Sequence, residues 1–171
     1  LSLEIEDADQ VFYSRRIGAP PSGAPFLAPG ETASLPESTT ILGAFKVTGK
    51  TDGGLSVAAL QAFTQKETVA VASPLGGRDA VLEPFGSYTA ARIHKDWDKG
   101  NTSLGGMLTS THRWVDDAPI AAFLPTQATT GGIDFTRHFA DRQWVLEASG
   151  VASHVKGDPA AIRSLQTNAV H

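Results

Sequence analysis

Cysteine is missing altogether from the 171 residues, which excludes disulfides, thiolate metal centres and cysteine nucleophiles. A fold without that chemistry either needs no covalent staple or sits in a reducing compartment. Long hydrophobic runs are missing too. The longest, Ala118–Leu124, is broken by Pro119 and closed by Pro125, far short of the roughly 20 apolar residues with which a helix crosses a bilayer. Any membrane contact must therefore be made by strands. Basic excess is absent: 14 Lys and Arg stand against 18 Asp and Glu, the net charge is −4, and no basic cluster exceeds Arg15-Arg16. Nucleic acid is set aside as a partner on that ground. Helix signals are scarce, and only Asp158-Pro159, an N-cap followed by proline after Gly157, predicts a short helix over Ala160–Gln166. Residue 1 is not Met, and LSLEIEDADQ has neither the basic start nor the apolar core of a signal peptide. The chain is expected to be the interior of a longer precursor, and residues 1–171 to form one β-barrel-like domain, a fragment of that protein.

What is present in quantity is glycine, 17 residues of it, together with alternation of period two. The stretch Gly131–His154, GGIDFTRHFADRQWVLEASGVASH, reads as two alternating runs joined at Asp141-Arg142. Antiparallel pairing about that turn sets Phe139 opposite Trp144, Arg137 opposite Leu146, Phe135 opposite Ala148 and Ile133 opposite Gly150. That face is apolar except for Arg137. The other pairs His138 with Val145, Thr136 with Glu147 and Asp134 with Ser149. Runs of about ten to twelve residues exceed the usual globular length and match a tilted membrane strand, although a soluble sandwich strand shows the same alternation.

Two more hairpins precede it. Thr39–Lys50 and Leu55–Lys66 flank Thr51-Asp52-Gly53-Gly54, where Asp-Gly is a strong hairpin signal because both central residues take positive φ in the tightest loop. Pairing about Asp52-Gly53 predicts Phe45 opposite Leu60, Val47 opposite Ala58 and Lys46 opposite Ala59. Gly86–Arg113 folds about Lys99-Gly100, with Trp97, Lys95, Ile93 and Ala91 against Thr102, Leu104, Gly106 and Leu108 on one face. The reverse carries Asp96, His94, Arg92, Ala90 and Tyr88 against Ser103, Gly105, Met107, Thr109 and Thr111. Trp97, Phe139 and Trp144 all fall at turn ends on the apolar face, where either an interfacial aromatic belt or the closed end of a soluble core places them. Between the hairpins, Thr68–Ser73 reads as a short strand ended by Pro74-Leu75-Gly76-Gly77. Val11, Tyr13 and Arg15 alternate in a short extended segment. With Pro20, Pro21, Pro25, Pro29 and Pro36, the Pro/Gly/Ala-rich stretch 19–36 reads as a loop lying on the surface or inside a barrel. The expected fold class is all-β: an antiparallel up-and-down meander of long hairpins, a β-barrel or partial barrel, with at most one short helix near the C-terminus.

The runs FYSRRIG (Phe12–Gly18), ILGAFKVTGKT (Ile41–Thr51), Glu83-Pro84, YTAARIHKD (Tyr88–Asp96), GNTSLGGMLTST (Gly100–Thr111), GGIDFTRHF (Gly131–Phe139) and GDPAAIRSLQ (Gly157–Gln166) resemble the domain of unknown function 5916 family. The resemblance implies the C-terminal, outer-membrane β-barrel-like part of a bacterial protein whose N-terminal part resembles a family 9 carbohydrate-binding module. Members continue into further strands where this chain stops.

Asp134 and Glu147 share a face, and paired carboxylates perform glycoside hydrolysis, but the register does not oppose them. His94, His112, His138, His154 and His171 lack ligand spacing, so no metal is implied, and no cofactor motif is present. No catalytic residue is assigned. The candidate polar surface is Arg92, His94, Asp96, Asp134, Thr136 and Glu147, which would line a channel or bind a polar solute, or else neutralise one another as an ion-pair network. The resulting expectation is a segment of a bacterial outer-membrane barrel that handles a polar solute such as a saccharide. Its expected partners are outer-membrane lipid and a polysaccharide. A soluble carbohydrate-binding sandwich, periplasmic or secreted, and a carbohydrate-active hydrolase are the alternatives. In the membrane reading Ile93, Phe135 and Leu146 face hydrocarbon, Arg92, Thr136 and Glu147 face the lumen, and Lys95 and Arg137 snorkel to the interface.

Overall fold

The computed structural model describes residues 17–167 apart from positions 24, 26, 75 and 117. In chain order the elements are β1 (Thr32–Ala33), β2 (Ile41–Lys50), β3 (Leu55–Thr64), β4 (Glu67–Ala72), β5 (Arg78–Glu83), β6 (Phe85–Trp97), β7 (Thr102–Trp114), α1 (Ala118–Ala121), β8 (Gln127–Phe139), β9 (Trp144–Lys156) and α2 (Pro159–Thr167). The fold is all-β and every strand pairing is antiparallel. Six long strands form one sheet in the order β2-β3-β6-β7-β8-β9, and β1-β4-β5 form a second. The extended segment expected at Val11–Arg15 lies outside the described residues.

Period-two patterning gives the large sheet two unlike faces. One carries Phe45, Val57, Ile93, Leu104, Ile133 and Leu146. Its reverse carries Ala58, Ala62, Ala90, Arg92, Met107 and Asp134, all buried. These are called the Ile93 face and the Arg92 face. The second and third hairpins have the register that alternation predicts, Trp97 opposite Thr102 and Phe139 opposite Trp144. Their loops turn through three consecutive left-handed residues, Asp98, Lys99 and Gly100 in one and Ala140, Asp141 and Arg142 in the other. That hand suits the right-handed twist of the strands they join.

The first hairpin differs by one residue. Phe45 lies opposite Gln61, Val47 opposite Ala59 and Lys46 opposite Leu60. The cause is the loop: Gly54 N–H donates to Thr51 O at 3.0 Å and Thr51 N–H to Leu55 O at 2.8 Å, while Gly54 alone in this loop has positive φ, at 81°. Asp52 and Gly53 are therefore not a mirror-image two-residue turn, and the extra residue shifts β3 by one, which exchanges its faces.

Three further corrections concern what the expected meander omitted. The segment 19–36 is not wholly loop, since Thr32 and Ala33 pair with Ala72 and Val71 at an edge of the small sheet. That sheet interrupts the meander between β3 and β6 and holds a core of Val69, Val71 and Leu82. A second helix, the single turn α1, adds to the expected C-terminal one. The C-terminal helix is present, with Asp158 Oδ1 accepting from Ala160 N–H at 2.8 Å as an N-cap does. The six-stranded sheet is open among the described residues: β9 does not pair with β2, and every residue of both strands is exposed. Six strands fall short of the roughly eight at which side chains fill a closed barrel.

The loops at residues 51–54, 98–101 and 140–143 share one rim of the large sheet, and the longer connections 65–84 and 115–126 share the other.

Candidate functional site

The Arg92 face contains a paired charge that sequence reasoning had nominated as two separate residues. Arg92 on β6 pairs with Met107 on β7, and Asp134 on β8 pairs with Gly105. The two charged residues therefore sit diagonally across β7. Arg92 Nη1 donates to Asp134 Oδ1 at 3.0 Å and Nη2 to Oδ2 at 3.3 Å, a bidentate fork. Arg92 is 7% and Asp134 9% exposed. What lets the carboxylate lean over β7 is Gly105, because a Cβ there would stand 2.3 Å from Oδ2 and 2.5 Å from Oδ1. The first glycine of the Leu104-Gly105-Gly106 run thus has a packing reason that no motif announces.

The remaining nominated residues do not converge on this pair. His94 and Asp96 lie two apart on β6 with Nδ1 and Oδ1 separated by 3.8 Å, a loose contact at most. Thr136 is half-buried and lies opposite the exposed Glu147. Asp134 faces Ser149, not Glu147, and its carboxylate is occupied by Arg92.

Sequence reasoning missed a second polar centre on the same side. Glu83, at the end of β5, is 3% exposed. Its Oε1 accepts from Arg113 Nε at 3.2 Å and its Oε2 from the Ser22 backbone N–H at 2.8 Å. Further tethers hold the same proline-rich stretch: Gly23 N–H donates to Leu82 O, and Thr39 donates to Ala19 O through both its N–H and its hydroxyl. A cavity of about 590 Å³ lies between this stretch and the large sheet, lined by Glu83, Tyr88, Thr109, Thr111, Arg113 and Leu124 among others. The one sequence signal was Glu83-Pro84, a carboxylate set where a strand must stop.

The Ile93 face presents the opposite environment. Ile93 is 54%, Ile133 65% and Leu146 53% exposed. A shallow groove of about 970 Å³ runs along it where side chains are small, bordered by Ile93, Gly106, Leu108, Gly131, Ile133 and Gly150. Aromatic residues bracket this face. Trp97, Phe139 and Trp144 stand near the short-loop rim, and Phe63, Phe85 and Trp114 near the other, with ring centroids 6.3 Å apart for Phe63–Phe85 and 4.9 Å for Phe85–Trp114.

No group of three or more His, Asp or Glu residues that could hold a metal occurs among the described residues. No helix among them is long and apolar enough to cross a membrane. No curated protein and no solved structure matches the chain. The model of a domain of unknown function, DUF5916, matches residues 3–131, ending within β8 although the sheet continues through β9. The chain belongs to the DUF5916 family.

Proposed function

We propose that this chain is part of a bacterial outer-membrane β-barrel, with the Ile93 face toward hydrocarbon and the Arg92 face toward a water-filled interior that handles a polar solute such as a saccharide. The observation that carries this reading is the inversion of exposure across the large sheet. Ile93 and Leu146 are more than half exposed while Arg92 and Asp134 are buried, the reverse of what a sheet with a wet outer face presents. Leaving a large aliphatic side chain in water forgoes about 1.5–3 kcal/mol each, so a face of them calls for an apolar solvent. The aromatic residues near both rims, with short loops at one rim and long connections at the other, fit a barrel wall. The unpaired edges of β2 and β9 are where further strands join. In this reading the Glu83-tethered segment narrows the lumen, and an N-terminal carbohydrate-binding-like module delivers the solute.

These 171 residues contain no cysteine, so once any thiols elsewhere in the full-length protein are replaced, a single-Cys label reports on this sheet alone. The full-length protein is reconstituted in vesicles and scanned from Gly132 to Phe139. Lipid exposure at 133, 135, 137 and 139 alternating with water or protein contact at 132, 134, 136 and 138 supports the reading. Phe135 and Leu146 both shielded in a lipid-free, detergent-independent monomer would overturn it in favour of a soluble sandwich. Heat-modifiable migration in detergent is the companion measurement.

A further inference from the structure

The charged residues of the large sheet divide unevenly between its faces: the Arg92 face carries both signs, with Lys46, Lys50, Arg92 and Arg113 beside its carboxylates, whereas the Ile93 face carries cations alone. On the Ile93 face stand Lys95, Arg137 and Lys156, with His112 and His154, and no carboxylate. All three carboxylates of the six strands, Asp96, Asp134 and Glu147, are on the Arg92 face. A face with cations and no carboxylate runs against a chain whose acidic residues outnumber its basic ones by 18 to 14. Lys95 and Arg137 are close to one another near the short-loop rim. Lys95 lies opposite Leu104, which lies opposite Phe135, and Arg137 is two residues further along β8. Strand spacing then separates their Cα atoms by about 12 Å, within the combined reach of the two side chains. The Lys95 ammonium donates to the Gly53 carbonyl and stands 6.0 Å from the Trp97 ring centroid. Neither Lys95 nor Arg137 pairs with a carboxylate among the described residues. Toward the middle of the sheet from these two cations begins the apolar groove bordered by Ile93, Gly106 and Ile133.

Two cations without a counter-ion, an aromatic flank and an adjoining apolar groove match the parts of one amphiphile. We propose that this face binds an anionic phospholipid, its phosphate between Lys95 and Arg137 and an acyl chain in the groove along Gly106, Gly131 and Gly150. The site rests on the barrel reading above, since it needs the Ile93 face in a membrane. Lys95 and Arg137 then select the lipid around the barrel in addition to tolerating the interface.

The experiment reconstitutes the full-length protein in equimolar phosphatidylcholine and phosphatidylglycerol and measures the lipids retained after extraction into mild detergent. Wild type is expected to retain phosphatidylglycerol preferentially. A basic side chain at the membrane surface is worth about fivefold in anionic-lipid binding, so the K95Q/R137Q double variant should lose roughly 25-fold of that preference. The K95R/R137K exchange, which keeps both charges, should retain it. G131L, which fills the groove with both cations intact, should lower total lipid retention. Equal retention of the two lipids by wild type, or an unchanged preference in K95Q/R137Q, overturns the site and leaves the barrel standing. Displacement of the lipid by inorganic phosphate alone overturns it in favour of a simple anion site. Failure of wild type to insert into any vesicle overturns the barrel reading and the site with it.

Discussion

Replacing Gly105 by alanine tests the central ion pair without touching either charge. A methyl there would stand 2.3 and 2.5 Å from the two Asp134 carboxylate oxygens and 2.6 Å from Cγ, roughly 1 Å inside the closest distance that such contacts tolerate. Either the carboxylate swings away from Arg92 or β7 and β8 separate. Both residues are over 90% buried, so the first course strands charge in a site where a broken pair costs about 3–5 kcal/mol. Partial relaxation should leave G105A destabilised by about 2–4 kcal/mol. In an Asp134→Ala background the obstruction is gone and the ordinary strand preference returns, with alanine better than glycine by about 0.5–1 kcal/mol. The same substitution should therefore change sign between the two backgrounds. The assay is a double-mutant cycle by urea unfolding in detergent micelles, followed by the fluorescence of Trp97, Trp114 and Trp144. A G105A cost that is equal in both backgrounds refutes the account, because it would place the strain in the backbone and not in the carboxylate.

Three other perturbations follow from the same geometry. Gly54 has φ 81° and a Cβ there would meet Asp96 O at 2.8 Å, so G54A should cost about 1–2 kcal/mol or more and perturb the β2–β3 register; an unchanged unfolding midpoint refutes this. E83A removes the acceptor of both Arg113 and the Ser22 amide; it should destabilise by about 3 kcal/mol and open residues 17–23 to limited proteolysis, and an unchanged cleavage pattern contradicts the tether. Glu31 is held below the ordinary carboxyl value of 4.5, first by hydrogen bonds from Arg78 and next by the Ala28 N–H. A lowered folded-state pKa stabilises above the unfolded value and is lost as pH falls, so the stability gap between wild type and E31Q should narrow below pH 4.5. A gap that stays constant from neutral pH to pH 3 sinks that assignment.

How much of this could be read from the chain depends on whether the controlling feature is local. Alternation of period two is local, and for β6 to β9 it specified both the pairing and the faces, because a one-residue slip would have moved Asp134 and Glu147 to the opposite face, among the partners of Ile133 and Leu146. The β2–β3 pairing lacked that protection. Its Arg92-side positions, Ala58, Leu60 and Ala62, are as apolar as their Ile93-side neighbours, so patterning could not arbitrate and the loop decided. Asp-Gly pointed to a two-residue turn, whereas Gly54, one position later, was the residue that went left-handed. Of the small sheet, β4 was legible as the short run Thr68–Ser73, and its partners were not, for another reason. RDAVLE in β5 becomes a strand through Leu82 packing on Val69 and Val71, a contact that no window of β5 alone contains.

The candidate site divides along the same line. That Arg92 and Asp134 share a face follows from register. That they meet follows from Gly105, two strands' worth of pairing removed from either inference, since only a residue without Cβ leaves room for a diagonal fork over β7. Enclosing the bidentate pair desolvates both partners, which offsets much of its attraction. Its consequence is therefore specificity of alignment: among the registers that keep carboxylates off the Ile93 face, a two-residue slide of β8 against β7 would bring a side chain other than Gly105 beneath the Asp134 carboxylate and break the fork. Through the middle of the sheet, where Ile93, Gly106, Ile133 and Gly150 make the Ile93 face apolar and interchangeable, that pair distinguishes the native register from its even-numbered neighbours.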